Sequence, residues 1–222
     1  MNRTCRAPGC WAPAASSFAA YCAPHRTALR RHGAVDQKAI TKAQLKPYLL
    51  RVKARISRNP ESIAWVTLDE RWRALVGHAE GILAKFAKGK AGFRHERLAA
   101  QEVVKLASDV MAREVVEVTA AVVMMRELEP RHFRSDNAFW VQLGRRVRSV
   151  SDLHFGERWD NARQRVRRVY RDLNPKATLT LGRWLATTLG IGGLHLARME
   201  QAARDSKAKE SRELHEALSK LV

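Results

Sequence analysis

The sequence predicts a mainly α-helical protein, with a helical, bundle-like body that follows a small module rich in cysteine and histidine. Apolar residues recur at helical spacing over most of the chain, and few segments alternate as strands do. All three cysteines fall within residues 5–22. The chain has 222 residues, of which 45% are hydrophobic, so it can bury a core. We expect three parts: residues 1–33, residues 34–205 and a C-terminal helical tail, residues 206–222.

The N-terminal cysteines are spaced like metal ligands. Cys5 and Cys10 form one close pair, and Cys22 and His25 form a second pair after eleven intervening residues. Three thiolates and an imidazole suit a closed tetrahedral zinc site, and small zinc modules pair their ligands in this way. We therefore expect a structural Zn²⁺ ion on these four residues, with His32 as the rival fourth ligand. A disulfide plus a free thiol is disfavoured, because no apolar secretory segment opens the chain.

The end of this module resembles small zinc knuckles of phage and mobile-element proteins, which often precede an HNH nuclease core. The residues that carry the resemblance are Cys22-Ala-Pro-His25-Arg26-Thr-Ala-Leu-Arg30-Arg31-His32-Gly33. The resemblance covers residues 5–33 only and implies zinc binding and contact with nucleic acid. The downstream sequence lacks the paired His, Asn and His of an HNH hairpin. The resemblance therefore does not imply nuclease activity.

The first half of the body reads as three helices. Thr41 and Gln44 form a capping box for the first helix, which the Asn59-Pro60 dipeptide ends. A second helix is expected over residues 62–88. The third, over residues 94–128, is apolar over a wide arc and should be central in the core.

The second half of the body, beyond Pro130, reads as four further helices. Ser135 can cap a short helix that continues through Leu143. Helices are then expected over residues 152–173 and 178–189, followed by a glycine turn at residues 190–193 and a terminal helix. Small and apolar residues around that turn also match a helix-turn-helix, although an ordinary helical hairpin explains them as well.

The charge of the chain indicates a polyanionic partner. The formal net charge is +19 and the isoelectric point is about 10.8, an excess far beyond what solubility requires. Arginine is more than twice as frequent as lysine, and its planar fork binds phosphate bidentately and stacks on bases. No segment reads as a transmembrane helix. We expect a soluble, cytoplasmic protein with no membrane partner, associated with the nucleoid if its ligand is DNA.

The candidate nucleic-acid-binding residues are arginines in the module, around residue 146 and in the expected helix 155–173. In that helix, Arg163, Arg167 and Arg171 recur every fourth residue and would share one face, although a merely solvated face is the alternative. Trp11 could stack on a base or pack over the metal site. The full set of candidates is Arg26, Arg30, Arg31, Arg145, Arg146, Arg148, Arg158, Arg163, Arg165, Arg167, Arg168, Arg171 and Arg198.

These features favour a zinc-containing, non-enzymatic nucleic-acid-binding protein of phage or mobile-element origin. Double-stranded DNA is the favoured ligand and structured RNA the alternative, because arginine contacts to phosphate serve both. A second hypothesis is a basic adaptor or inhibitor that docks on an acidic protein or within a nucleoprotein complex, with the C-terminal helix pairing with a protein partner. A divergent nuclease is third; its candidate metal ligands are Asp152, His154, Glu157 and Asp160.

Overall fold

The computed structural model describes residues 3–151, 156–162, 164–169 and 172–219, and it confirms the mainly helical fold class. Within these ranges seven α-helices pack together with one two-stranded hairpin and a short 3-10 turn at Pro130–His132. The helices are α1 (Ala23–His32), α2 (Lys42–Arg58), α3 (Ile63–Ala87), α4 (Arg94–Asp109), α5 (Ala112–Leu128), α6 (Asp136–Arg148) and α7 (Pro175–Ser219). The strands of the hairpin are β1 (Gly156–Asp160) and β2 (Arg165–Val169).

The helix starts that depend on local capping agree with the sequence predictions. The hydroxyl of Thr41 accepts a hydrogen bond from the backbone N–H of Gln44, whose side chain in turn accepts one from the N–H of Thr41. Ser135 caps α6 in the same manner by accepting from the N–H of Ala138. Each cap satisfies backbone donors that the first helical turn leaves without partners.

The core lies where α7 packs against α5 and α6, which are its most extensive contacts. The apolar stripe of α7 is formed by Leu181, Leu185 and Leu189, all of which are fully buried. Helix α5 faces it with side chains such as Val122 and Met125, which are equally inaccessible to solvent. Helix α2 covers the other side of α5, while α3 and α4 pack against each other and against α7.

The prediction of one helix over residues 94–128 is wrong, because the chain leaves the helical conformation between α4 and α5. Val110 and Met111 have extended backbone, with ψ angles of 139° and 141°. Val110 points into the core, whereas Met111 is 71% exposed. The break lets α4 pack on α3 while α5 turns to face α2 and α6, an arrangement that one straight helix could not adopt.

The predicted glycine turn at residues 190–193 is also wrong, and the helix-turn-helix hypothesis fails with it. Helix α7 runs without interruption from Pro175 to Ser219. Its glycines allow close packing instead: a Cβ at Gly182 would lie 1.8 Å from the carbonyl oxygen of Trp140, and one at Gly193 would lie 2.6 Å from Cβ of Val123. The backbone of α7 therefore touches its neighbours directly.

The prediction of a helix is wrong for the described part of the segment 152–173, because residues 156–160 and 165–169 form the antiparallel hairpin instead. In its register Arg158 lies opposite Arg167 and Trp159 opposite Val166. Aromatic and β-branched residues favour strands. The carboxylate of Asp160 accepts a hydrogen bond from the N–H of Ala162, which starts the turn between the strands. The four-residue spacing of arginines in this segment therefore does not define a helix face.

The end of α7 does not pack on the body. Every side chain that the structure describes between residues 201 and 219 is exposed, including Leu214, which is 62% exposed. Among the residues described, no helix is both long and apolar enough to cross a membrane.

The close backbone packing of α7 predicts that alanine substitutions at two glycines have opposite effects on stability. Gly182→Ala should lower the free energy of unfolding by about 2 kcal/mol or more, because the new methyl group overlaps the backbone of α6. Gly77→Ala should instead raise it by about 0.5–1 kcal/mol, because a methyl group there meets nothing within 4 Å and alanine favours a helix. Urea unfolding of both variants measures the difference. Equal effects of the two substitutions would contradict this account.

Candidate metal centre and its junction with the body

The three cysteines and His25 form one cluster near the N-terminus. Their ligand atoms all lie within 4.8 Å of one another. Nδ1 of His25 is 3.3 Å from Sγ of Cys5 and 3.2 Å from Sγ of Cys22, and Sγ of Cys10 is 4.0 Å from Sγ of Cys22. Ligands of a tetrahedral zinc ion would lie about 3.8 Å apart for sulfur pairs and about 3.6 Å apart for sulfur and nitrogen. The cluster could therefore hold a metal ion such as zinc, and its cysteines form no disulfide.

Local backbone structure brings these ligands together. Cys22 is the N-cap of α1 and Pro24 lies in its first turn, so Cys22 and His25 share one turn. Gly9 has a φ of 71°, and the N–H of Cys10 donates to the carbonyl oxygen of Ala7 at 3.1 Å, which closes a tight turn in front of Cys10. Glycine adopts this left-handed conformation without strain. The first ligand pair thus depends on a turn, and the second on a helix start.

The electrostatics of the cluster also suit a cation. Burial acts to raise the pKa of Cys5, but hydrogen bonds with the backbone of Cys22 and Ala7 and with His25 lower that pKa to about 6. At Cys10, a backbone hydrogen bond with Ala12 acts to lower the pKa, yet burial and the neighbouring thiols raise it above its ordinary value. The neighbouring thiols Cys5 and Cys22 therefore impede the ionisation of Cys10. A bound divalent cation would remove this repulsion and stabilise all three thiolates.

His32, the rival ligand, lies outside the cluster and joins α1 to the helical body. The side-chain amide of Gln142 on α6 lies 3.3 Å from Nδ1 of His32 and can donate to it. Burial, followed by the positive charges of Arg145 and Arg31, lowers the pKa of His32 and so favours the neutral imidazole that can accept this bond. The oxygen of the same amide accepts from the N–H of Ile40. Gln142 is buried, so its hydrogen bonds fix the junction between α1 and α6.

Two further contacts secure this junction. Gly33 ends α1 with a φ of 86°, and a Cβ there would lie 2.8 Å from the Cα of Ala138 on α6. The buried side chain of Gln37 donates to the carbonyl oxygen of His132 and accepts from the N–H of Arg134. The metal module is therefore held against the body by packed backbone and by buried amide groups.

Arg31 and Arg145 lie at this junction, and Arg146 follows Arg145 on α6; we call these three residues the junction arginines. The charges of Arg31 and Arg145 both act on His32. Burial, and then the charge of Arg145, lowers the pKa of Arg146. Asp172 provides a carboxylate 3.7 Å from Nη1 of Arg145. Within the parts of the chain that the structure describes, Nε of Arg146 is buried and has no hydrogen-bond partner.

The other candidate arginines are distributed more widely. Arg148 forms an ion pair with Glu102 at 3.2 Å and so links α6 to α4 within the helical body. Arg198 lies about 35 Å along α7 from Pro175, at 1.5 Å per helical residue. The remaining positions are Arg26 and Arg30, exposed on α1; Arg165, exposed on β2; Arg158, Arg167 and Arg168 on the strands; and Arg163 and Arg171, which lie outside the described residues.

Three residues that build the junction were not among the predicted site residues, namely Gln37, Gln142 and Asp172. Gln142 had a detectable signal, since it is the polar residue in the otherwise apolar run Phe139-Trp-Val-Gln142-Leu143. A polar side chain within an apolar stripe is usually buried with hydrogen-bond partners. Its partner, His32, is 110 residues away in sequence and has no local signature.

The candidate nuclease ligands receive no support from the geometry. Asp152 and His154 lie outside the described residues. Glu157 and Asp160 are on strand β1, so the helical spacing that suggested a metal site is absent. The carboxylate of Asp160 accepts from the turn backbone instead.

No protein-family model matches this chain, and neither a curated protein nor a solved structure matches it. The inference that the Cys3His cluster could hold a metal ion therefore rests on the geometry of the cluster itself. The resemblance of residues 5–33 to zinc knuckles does not place the chain in a family.

Metal content tests the ligand set. Cys22→Ser should lose the bound metal, because Cys22 supplies a thiolate and also starts the helix that carries His25. His32→Ala is the matched control and should keep a full equivalent, because His32 lies at the far end of α1 and contacts Gln142. Zinc per protein, measured by atomic emission after dialysis, gives both values. Full metal in Cys22→Ser, or loss of metal from His32→Ala, would show that the ligand set is wrong.

Proposed function

We propose that this protein is a zinc-stabilised nucleic-acid-binding protein that holds the phosphate backbone with the junction arginines. The observation that carries the proposal is the half-buried guanidinium of Arg146, which lies beside Arg145 and has no ion-pair partner among the described residues. A guanidinium removed from water is costly unless it is paired. A phosphate oxygen that contacts the solvent-accessible part of this guanidinium would supply the negative charge that the site lacks.

The distribution of charge supports a polyanion rather than a single small anion. The first 35 residues contain five arginines and no aspartate or glutamate. Arg26, Arg30 and Arg31 are exposed along α1 and lead from the metal cluster towards the junction. An extended row of cations suits a ligand with repeated negative charges, and phosphate contacts of this kind give affinity without sequence choice.

The stability of the individual helices explains part of the placement of these arginines, but not all of it. Cations in the last turn of a helix interact favourably with its dipole, by about 0.3–1 kcal/mol each. Both α1 and α6 carry arginines in their last turns. The dipole effect, however, acts within each helix and gives no reason for two such turns to meet at one junction. Mutual repulsion there lowers stability, so an anionic ligand is the better explanation.

Zinc would have a structural role in this proposal. The cluster offers four protein ligands, which fill a tetrahedral site and leave no open position for a substrate. Little apolar core surrounds the cluster apart from Ala7, Tyr21 and Val35. The ion would therefore stabilise the start of α1 and, through it, the position of Arg31. Double-stranded DNA remains the favoured ligand, with structured RNA as the alternative.

A second candidate function is that of a basic adaptor with a protein partner. It is favoured by the exposed end of α7, where Leu214 is 62% exposed and all side chains described between residues 201 and 219 are exposed. Residues 201–219 contain four basic and four acidic side chains, so this segment has no net charge, whereas the chain as a whole is strongly basic. An adaptor would retain its protein partner after nuclease treatment and would lose it when the chain is shortened to residue 200.

Removal of the junction arginines tests the proposed function. Arg31→Ala/Arg145→Ala/Arg146→Ala should weaken binding to a DNA duplex about tenfold or more and reduce the slope of log K against log salt by up to about 3. Lys207→Ala/Lys209→Ala/Arg212→Ala removes the same charge from the exposed end of α7 and is the matched control. Fluorescence anisotropy at several salt concentrations measures both quantities.

Two outcomes would contradict the proposed interface. One is an equal loss of affinity in both triple variants, which would indicate net charge alone. The other is unchanged affinity in the junction variant. Because Arg146 is partly buried, thermal unfolding is measured in parallel. If the triple variant is destabilised, Arg31→Ala/Arg145→Ala replaces it and should still reduce the slope, by up to about 2.

A further inference from the structure

Two aromatic side chains of the metal module are almost fully exposed. Phe18 is 93% exposed and Trp11 is 88% exposed, the highest values among the large apolar side chains that the structure describes as exposed. Neither packs on the metal cluster, which is covered by Tyr21 and Val35 instead. The alternative role considered for Trp11, packing over the metal, is therefore excluded.

Backbone hydrogen bonds place an arginine-bearing segment next to the two segments that carry these aromatic residues. The N–H of Cys5 donates to the carbonyl oxygen of Ala12, and the N–H of Arg6 donates to that of Ala20. The segment of residues 3–6 therefore lies between the chain that follows Trp11 and the chain that follows Phe18. It carries Arg3 and Arg6, both of which are exposed.

Phe18 also lines a surface pocket with both of these arginines. The pocket has a volume of about 530 Å³ and is formed by Arg3, Thr4, Arg6, Phe18, Ala19 and Ala20. This volume falls within the range of small-molecule sites, about 300–1,000 Å³. Its lining combines one flat apolar ring with two cations, and no carboxylate contributes to it.

This combination fits an unpaired nucleobase and its phosphates better than it fits a base pair. Bases in a duplex stack on their neighbours and leave only their edges accessible. Bases in a single strand expose their faces, and exposed aromatic side chains stack on them with little regard to sequence. Arginine adds phosphate contacts and cation–π contacts beside such a platform.

We propose that Trp11 and Phe18 form a stacking platform for unpaired bases, so that the nucleic acid bound by this protein includes a single-stranded segment next to the metal module. This inference rests on the proposed function and narrows its ligand. The junction arginines would hold the backbone, while the platform would hold bases that are not paired.

Comparison of three probes tests the platform. Anisotropy is measured with a labelled thymidine-only strand, an abasic strand of the same length and a duplex of the same length. The abasic strand keeps the phosphates but offers no base to stack. The native protein should bind the thymidine strand about tenfold more tightly than the abasic strand, since each stacked base contributes about that much or more.

Substitution of the aromatic residues should remove this preference. Trp11→Ala/Phe18→Ala should lower affinity for the thymidine strand to that for the abasic strand, with the salt slope and the duplex affinity unchanged. Trp11→Phe should retain most of the preference. Phe93→Ala/Ile63→Ala removes two exposed apolar side chains outside the metal module and should change none of these values. Zinc content confirms that each variant keeps its metal module.

The outcomes separate the platform from the proposed function. Equal binding of the thymidine and abasic strands, or an unchanged preference in Trp11→Ala/Phe18→Ala, would overturn the platform while salt-dependent duplex binding still supported the interface. If Trp11→Ala/Phe18→Ala loses as much affinity for the duplex as for the thymidine strand, the platform is overturned as well. A general structural role of the two residues would then explain the loss. If no probe binds at low salt, both proposals fail, and a protein would be the better occupant of this surface.

Discussion

The close approach of α7 to α5 and α6 is the constraint on which the rest of this structure depends. Gly182 faces the backbone of Trp140, and Gly193 faces Val123 and the carbonyl oxygen of Ala120. From the other side, Gly144 of α6 faces the carbonyl oxygen of Thr178. Because backbone meets backbone, no change of rotamer can absorb an added atom. The position of α6 is therefore fixed, and with it the positions of Gln142 and Arg145 at the junction.

The predictable parts of the fold are those with a local physical cause. The Thr41 cap acts within one turn, and so does the Ser135 cap, so both could be inferred from sequence. The role of Gly193 could not, because a glycine between apolar runs suits a turn as well as a close helix contact. Only its partner, Val123, decides between them. The arginine-rich hairpin was missed because its few apolar residues fit either period, and the pairing of its two strands overrides a weak local preference.

In the candidate site, too, the predictable features are those whose residues are close together in sequence. The ligand pairs Cys5/Cys10 and Cys22/His25 are close in sequence, so their spacing alone indicated a metal cluster. The junction depends on contacts such as His32 with Gln142, whose members are separated by more than one hundred residues. Charge composition indicated a polyanionic partner, but it could not distinguish an arginine paired in the scaffold, such as Arg148 with Glu102, from one with no ion pair among the described residues, such as Arg146.

Helix α1 connects the metal cluster to the junction within ten residues, a length of about 15 Å. Its first turn carries His25, and its last turn carries Arg31. Two ligands that both order the same helix are thermodynamically coupled, and such coupling is reciprocal. If zinc strengthens the binding of a polyanion by some factor, the polyanion must strengthen the binding of zinc by the same factor. The affinity of this protein for its metal would then depend on whether its partner is bound.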